Sequence, residues 1–283
     1  LAWQPVSGPV VSDKAGGKWV RQARTSPWDQ PLRALWSEAG KGVCLDLLGE
    51  PRTTLFDLTA PGLRHRRNPW EKRELRVLLA RRNGPANTFV SVLQPTAGEG
   101  PCFAVRDVAA RSEAGEVRAV RVQGDGLDDL IVTGEMASAA GLTECGELRF
   151  RGQQAFFSRG PQGETLWLLN GTEAQVGNLA LRSVPAVTGK VTAVDAAAAT
   201  VDVDVTLPAA AAVPCRLLLI EGVTAGAYTI AATAPLPQGG TRVTLADEPV
   251  VNIAVGQVFA CPTWSLLTRR PDGTTERRGD ALP

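Results

Sequence analysis

The chain of 283 residues contains a single histidine and a single tyrosine, His65 and Tyr228. Acid-base catalysis at neutral pH mostly uses histidine, tyrosine, lysine or carboxylates with displaced pKa values, held within hydrogen-bonding reach of one another. These two residues are far apart in the sequence, and no Gly-x-Ser-x-Gly elbow accompanies His65. A zinc site with several imidazole ligands is excluded, because only one imidazole is present. The sequence therefore predicts no complete catalytic centre in this chain.

Membrane and nucleotide-binding signals are also missing. No stretch approaches the ~18 consecutive apolar residues of a membrane helix, and no charged-then-apolar signal peptide opens the chain. No phosphate-binding loop occurs, and Gly124-x-Gly126 is too short for a dinucleotide fingerprint. We therefore expect no cofactor and no membrane partner. We also expect no nucleic-acid partner, because the arginines of the chain lack an accompanying series of aromatic residues on which bases could stack. Because the first residue is Leu1 and not Met, we interpret the chain as a fragment of a longer protein.

Cysteine is scarce and scattered. The five cysteines are odd in number and lack the close pairs that zinc sites need. They are Cys44, Cys102, Cys145, Cys215 and Cys261. Most lie among apolar residues, so buried free thiols are the favoured interpretation. One disulfide remains an open alternative.

Twenty-nine glycines and 20 prolines separate short apolar runs, which indicates many turns and an all-β class. The clearest pattern covers residues 74–95, where two apolar runs flank Asn83-Gly84-Pro85. Because glycine accepts positive φ and proline removes a ladder donor, we interpret this stretch as a β-hairpin. Antiparallel pairs are also predicted for residues 103–109 with 117–123, and for 189–195 with 200–205.

A change in composition predicts a domain boundary at residues 182–188, after which aromatic residues almost vanish and Ala and Val dominate. Short strands recur at regular spacing downstream of this boundary, as in a small barrel or sandwich. We therefore predict a large antiparallel β-sandwich at residues 1–182. It is followed by a small Ala/Val-rich β-barrel or sandwich domain at residues 183–283. The polar end of that domain, residues 268–283, is predicted to form a terminal hairpin or to fray.

Two short motifs have competing interpretations. The acidic cluster Asp125, Asp128 and Asp129 lacks the ligand spacing of a calcium loop, so a solvated turn is favoured. Asn170-Gly171-Thr172 matches both a tight turn and a glycosylation sequon. The turn is the favoured interpretation there.

The formal net charge is +1, but cations are dense between residues 62 and 82. This basic segment contains Arg64, Arg66, Arg67, Lys72, Arg73, Arg76, Arg81 and Arg82. A guanidinium cluster can bind carboxylates or sulfates bidentately, and it would bias His65 toward its neutral form. The candidate substrate-binding residues are Arg64, His65, Arg66, Arg67 and Trp70. An ordinary solvated loop is the alternative interpretation of the same residues.

Several runs within residues 28–133 resemble the β-sandwich region that follows the helical toroid in heparinase II/III-like polysaccharide lyases. The runs are Ala60-Pro61-Gly62, Asn68-Pro69-Trp70-Glu71-Lys72, Leu79-Ala80-Arg81-Arg82 and Thr88-Phe89-Val90-Ser91-Val92-Leu93-Gln94-Pro95. The resemblance implies a bacterial, secreted parent, periplasmic or extracellular, that cleaves a uronic acid-containing polysaccharide by β-elimination. The main catalytic Tyr and His would lie in the toroid. This chain would complete the cleft and would be inactive alone.

A second class of function fits the same residues. A stand-alone carbohydrate-binding or cell-surface β module would use exposed aromatic side chains on a β face. The candidates are Trp19, Trp28, Trp36, Trp70 and Trp167. The alternative for each tryptophan is burial in the core, where this residue is most often found.

Overall fold

The structure is a computed structural model. It describes residues 4–5, 22–61, 74–84, 88–97, 102–113, 115–134, 141–207, 217–220, 226–246 and 253–280. Every regular element in these ranges is a β-strand and every strand pair is antiparallel, which confirms the predicted all-β class. The described part of the chain contains no helix that could span a membrane. The chain divides into two compact units, Leu1–Cys102 and Phe103–Pro283.

The first unit holds two small sheets. Its described strands are β1 (Gln4–Pro5), β2 (Gln22–Trp28), β3 (Leu32–Glu38), β4 (Lys41–Leu47), β5 (Thr53–Pro61), β6 (Glu74–Arg82) and β7 (Ser91–Thr96). One sheet has the order β1-β2-β5-β6 and the other has the order β3-β4-β7. Trp28, Leu47 and Leu55 form a small buried core between them, with Leu32 and Ala80 packed against it.

The predicted hairpin of residues 74–95 is wrong, because its two strands lie in different sheets. Strand β6 pairs with β5, where Leu79 faces Phe56, and β7 pairs with β4, where Leu93 faces Leu45. Each run of alternating apolar residues was correctly assigned as a strand. Alternation shows that a strand has one buried face, but it carries no information about which strand lies beside it.

A two-residue turn does form the hairpin between β3 and β4. Glu38 faces Lys41 across the pair, which leaves Ala39 and Gly40 as the connecting residues. Both have positive φ, 51° and 78°. These angles suit the primed turns that match the right-handed twist of paired strands.

The second unit begins with a sandwich of two sheets. Its strands are β8 (Ala104–Asp107), β9 (Arg111–Ser112), β10 (Val117–Gly124), β11 (Leu127–Gly134), β12 (Leu142–Cys145), β13 (Leu148–Arg151), β14 (Gln154–Gly160), β15 (Gly163–Leu169), β16 (Glu173–Val176) and β17 (Leu179–Arg182). The pairing of residues 103–109 with 117–123 is confirmed as β8 with β10. Asp125 and Gly126, both at positive φ, make the tight turn between β10 and β11.

A closed barrel follows the sandwich. It consists of β18 (Val187–Asp195), β19 (Thr200–Val203), β20 (Leu217–Ile220), β21 (Gly226–Pro235), β22 (Thr241–Leu245) and β23 (Val258–Cys261). The strands close in the order β18-β19-β22-β21-β20-β23. Val201 and Val203 point inward and are fully buried, as the alternation of valine and aspartate predicted. The predicted hairpin of β18 and β19 is confirmed.

The chain then returns to the sandwich. Strand β24 (Trp264–Arg269) pairs with β15, and β25 (Thr275–Gly279) pairs with β24 as the predicted terminal hairpin. The larger sheet therefore has the order β25-β24-β15-β14-β11-β10-β8, and the smaller one has the order β17-β16-β13-β12-β9. Phe150, Phe157 and Leu166 lie at the centre of the core between them. Each such buried side chain contributes about 1.5–3 kcal/mol.

This topology differs from the predicted division into residues 1–182 and 183–283. The chain does pass from the sandwich to the barrel between Arg182 and Val187. However, the compact units divide after Cys102, and residues 264–279 belong to the sandwich sheet. The barrel is thus an insertion within the sandwich. A change in composition marks where the insertion begins. It does not mark where the chain rejoins the sandwich, because that depends on the pairing of β24 with β15, about 100 residues earlier in the chain.

Candidate functional site

The five candidate substrate-binding residues predicted from the sequence lie outside the described residues. Arg64, His65, Arg66, Arg67 and Trp70 all fall between Pro61 and Glu74. The hypothesis that they bind an acidic partner therefore stays a prediction. The described end of the basic segment, from Arg76 to Arg82, belongs to β6.

Within the first unit, the two sheets enclose an open cavity of about 520 Å³. It is lined by Leu32, Arg33, Ala34, Leu35, Trp36, Asp57, Arg76 and Leu78. The first five belong to β3, which is an edge strand of its sheet, and the others belong to β5 and β6. We call this cavity the cleft.

Strand alternation explains why charged side chains reach the cleft. Leu55 lies in the small core, and Asp57 follows two residues later on the same face of β5. Arg24 of β2 and Leu78 of β6 stand directly beside Asp57 in the sheet. Arg76 precedes Leu78 by two residues and so shares its face. The face that is apolar at the core thus becomes charged at the cleft.

Asp57 is shared by two arginines. Arg76 binds it bidentately, with Nε 2.7 Å from Oδ1 and Nη2 2.6 Å from Oδ2. Arg24 also donates to Oδ2, from Nη2 and from Nε, the latter at 3.2 Å. The hydrogen bonds from Arg76 and Arg24 lower the pKa of Asp57 to about 2 even though burial opposes ionisation. The carboxylate is therefore ionised at neutral pH, and the three groups together carry a net charge of +1.

The guanidinium groups keep their outer edges toward solvent. The side chains of Arg24 and Arg76 are 48% and 64% exposed, whereas that of Asp57 is 10% exposed. Within the described residues, the structure records no partner for Nη1 of Arg76. An arginine held in place by one carboxylate can still receive a second anion on its remaining donors.

The opposite wall of the cleft is apolar. Trp36 is 39% exposed, and its neighbour across the β3–β4 pair, Val43, is 41% exposed. Leu45 follows Val43 by two residues on the same face of this sheet. It pairs with Leu93, which is 65% exposed. Large apolar side chains grouped on an exposed face commonly mark a binding surface.

A buried polar cluster lies on the other face of the same sheet. Asp46 is 8% exposed and accepts hydrogen bonds from Arg33 Nε at 2.7 Å and Gln94 Nε2 at 2.6 Å. Cys44 Sγ lies 3.8 Å from the second oxygen of Asp46. The hydrogen bond to Asp46 raises the pKa of Arg33, a residue that also contributes to the lining of the cleft.

Other motifs from the sequence do not converge on a site. Asp128 pairs with Arg121, and Asp129 points to the opposite face of β11, where burial raises its pKa. Asp125 lies in the turn. Among the described residues, no three His, Cys, Asp or Glu side chains lie close enough together to hold a metal ion. Of the three aspartates, only Asp125 fits the predicted solvated turn, because Asp128 and Asp129 lie half-buried in β11.

Asn170 does not form the predicted type I′ turn with Gly171, because only Asn170 has positive φ. Its side chain is buried, donates to Gln153 Oε1 at 2.7 Å and accepts from the Thr263 backbone N–H at 3.0 Å. The residue therefore fastens the sandwich to the strand that returns from the barrel. In the folded chain, both ends of this side-chain amide are therefore occupied by hydrogen bonds.

The tryptophan candidates separate by burial. Trp28 is 2% exposed and belongs to the core, Trp36 lines the cleft, and Trp167 is half-buried. Trp19 and Trp70 lie outside the described residues. Tyr228 packs against the barrel core.

The sequence analysis missed Arg24, Arg33 and Asp57 as members of a site. One signal was present in the sequence. Asp57 lies two residues after Leu55 and so shares its inward-facing side of the strand, where an apolar residue is expected. The cleft offers no acid-base pair among its described residues. Its arrangement of cations beside an apolar wall is suited to binding an anion that also has an apolar face.

Comparison with known proteins found no matching family model, no matching curated protein and no matching solved structure.

Proposed function

We propose that this chain binds an acidic polysaccharide in the cleft of its first unit, without catalysing a reaction itself. The observation that carries the proposal is the sharing of Asp57 by Arg24 and Arg76 beside the exposed Trp36. A uronic acid residue has one carboxylate and one apolar C–H face. The arginines suit the carboxylate through charge-assisted hydrogen bonds, and the indole ring suits the C–H face.

The larger protein to which we assign this region is a polysaccharide lyase. The resemblance of residues 28–133 to the β region of heparinase II/III-like lyases supports this assignment. In that arrangement a helical toroid supplies the catalytic base, and the present chain supplies one wall of the parent enzyme's catalytic cleft. The parent enzyme would act by β-elimination on a uronic acid-containing polysaccharide, in the periplasm or outside the cell.

A stand-alone carbohydrate-binding module is the second candidate. It is favoured by one observation, because every residue that lines the cleft comes from the first unit. The sequence encoded upstream in the same reading frame discriminates between the two. A helix-rich region with Tyr, His and Asn supports the lyase, and a different domain or none supports the module.

The binding proposal is tested by titrating the chain with alginate and with an uncharged glucan in a calorimeter. We expect binding to alginate alone. Arg76→Ala should weaken it by about two- to fivefold, the range expected for an exposed charge pair. Trp36→Ala should cause a loss of similar size, since it removes apolar contact area.

Arg242→Ala is the matched control. Arg242 binds Asp202 with the same bidentate geometry, at 2.7 and 2.8 Å, but it does so on the barrel, where no second arginine of the described residues joins the pair. Its substitution should leave alginate affinity unchanged. If Arg76→Ala and Trp36→Ala bind like the wild type while Arg64, Arg66 and Arg67 are required, the site is the basic segment and not the cleft.

A further inference from the structure

A groove of about 280 Å³ crosses the outer face of the smaller sandwich sheet. The side chains of Phe150, Ala174 and Leu181 turn inward to the core, so the alternate residues of β13, β16 and β17 turn outward and line the groove. These outward residues form two rows across the three strands, with Arg151, Glu173 and Arg182 in one row and Arg149, Gln175 and Ala180 in the next. Every residue of the lining belongs to the second unit.

The middle of the groove is open because Ala180 has a small side chain. Ala180 stands beside Gln175, which stands beside Arg149, so Arg149 lies two strands or ~10 Å away. Arg182 follows Ala180 by two residues on β17 and turns to the same face. The open space is thus bounded by an arginine on two sides. Its volume is small for a ligand pocket and suits a ligand of the size of one sugar unit.

The three arginines of the groove differ in their partners. Arg149 binds Glu144 at 2.9 Å, and Arg151 binds Glu173 at 3.1 Å. Cross-strand pairs of this kind are ordinary on an exposed sheet face. The side chain of Arg182 is also exposed, but it makes no hydrogen bond or ion pair with any described residue. Pairing within the sheet therefore accounts for the first two arginines and not for Arg182, whose donors are available to an anion.

We propose that the groove binds one unit of an acidic saccharide, whose carboxylate pairs with Arg182. A guanidinium group holds a carboxylate through two parallel charge-assisted hydrogen bonds. Glu173 supplies acceptor oxygens beside Arg182. Gln175 keeps its Oε1 as an acceptor, because its Nε2 already donates to the Gly177 carbonyl at 2.9 Å. The hydroxyl groups of the sugar donate to these acceptors.

The lining of the groove differs from that of the cleft. Phe150, the aromatic residue of the lining, is 1% exposed, whereas Trp36 of the cleft is 39% exposed. A hydroxyl-rich anion therefore fits the groove better than an anion with a large apolar face. The inference rests on the groove and not on the proposed function, since the groove and the cleft belong to different units.

The test titrates the isotope-labelled 283-residue chain with a mannuronate trisaccharide and follows the backbone amide signals by NMR. We expect the signals of β13, β16 and β17 to shift. Cellotriose is the matched uncharged probe and should leave these signals in place. Signals of β3, β5 and β6 report on the cleft separately, so binding at the groove is measured whether or not the cleft binds.

Two variants change the groove without touching the core. Arg182→Ala should weaken the affinity measured at the groove signals by about two- to fivefold, the range for an exposed charge pair. Ala180→Ile should abolish the shifts, because it fills the open space with a side chain that strands favour. Arg111→Ala is the matched control, since Arg111 is exposed on the same face of this sheet but lies on β9, outside the lining. Its substitution should leave the affinity unchanged.

Three outcomes overturn the proposal. The groove signals stay in place with the trisaccharide or move equally with cellotriose. Alternatively, Arg111→Ala weakens binding as much as Arg182→Ala, which would show a general attraction to exposed charge. Finally, sodium sulfate at the same concentration of charge moves the signals as far as the trisaccharide does, which would make the groove an ordinary anion contact with no preference for a sugar.

Discussion

The two compact units place their apolar residues differently. In the second unit, Phe150, Phe157 and Leu166 of the sandwich and Val201, Val243 and Phe259 of the barrel are all 2% exposed or less. In the described part of the first unit, the buried core cluster contains three residues. Among the residues that the structure describes, seven of the ten large apolar side chains that remain exposed also belong to this unit. They are Leu35, Trp36, Val43, Val77, Leu79, Phe89 and Leu93.

Charged residues differ less between the units, because two arginines, Arg159 and Arg269, bind Glu164 of the second unit. Within the described part of the barrel, one arginine, Arg242, binds Asp202, so their charges cancel one to one. In the first unit, Asp57 is bound by two arginines at the edge of a cavity. Pairs of the first kind mainly satisfy buried oxygens. The Asp57 cluster differs from the pair of arginines at Glu164 because Asp57 lines the cleft together with the exposed Trp36.

The strongest test of this comparison is the stability of core variants. Phe150→Ala in the sandwich should lower the free energy of unfolding by about 3–5 kcal/mol, because it leaves a cavity in a close-packed core. Leu93→Ala should change it by less than about 0.5 kcal/mol, since this side chain is 65% exposed. Urea denaturation followed by tryptophan fluorescence measures both. A large loss for Leu93→Ala would mean that the exposed face is a packed interface.

A second prediction concerns the basic segment between β5 and β6. Changing Arg64, Arg66 and Arg67 together to Ala should weaken alginate binding further if these residues extend the cleft. The loss should shrink as salt rises, because exposed charges are screened over ~8 Å at physiological ionic strength. Affinity measured at two salt concentrations checks this. An unchanged affinity would identify the segment as an ordinary solvated loop and leave the cleft as the site.

A third prediction compares how Asp57 and Asp202 affect the stability of the chain at acidic pH. The pKa of Asp57 is lowered to about 2, below its ordinary value of ~3.9. Its stabilising contribution is therefore complete above about pH 4 and is lost as the pH falls toward 2. We expect about 1 kcal/mol, well below the full shift, because Arg24 and Arg76 are largely exposed to solvent.

Asp57→Asn should remove this part of the acid dependence, which is measured as the free energy of unfolding at several values between pH 2 and pH 5. Asp202→Asn is the control, because the hydrogen bond from a single arginine, Arg242, also lowers the pKa of Asp202. The effect there should be smaller. Equal effects for the two variants would show that the second arginine at Asp57 adds nothing to stability.

The last prediction is that the chain alone has no lyase activity. The 283-residue chain should release no unsaturated product from alginate or heparin, because Tyr228 packs in the barrel and the cleft has no acid-base pair among its described residues. Ultraviolet absorbance of the product measures this. Product formation abolished by His65→Ala would contradict the prediction and assign catalysis to the first unit.

Local patterns were sufficient to identify many individual strands. Val201-Asp202-Val203 alternates without exception, and the structure places both valines inside the barrel. The turn at Asp125-Gly126 and the terminal hairpin of β24 and β25 were also predictable, since partners close in sequence pair through short connections. Alternation and turn chemistry act over a few residues, so they act the same way in any fold.

Local patterns did not predict which distant strands pair with each other. The separation of β6 from β7, the return of β24 to β15 and the position of the barrel as an insertion all depend on which faces bury together. The cleft depends on the same choices, since Arg24, Asp57 and Trp36 lie on three strands in two sheets. Composition and alternation by themselves determined the all-β class and many of the strands. Only the tertiary structure decided which strands pair and which side chains meet, because those contacts join residues that the sequence keeps far apart.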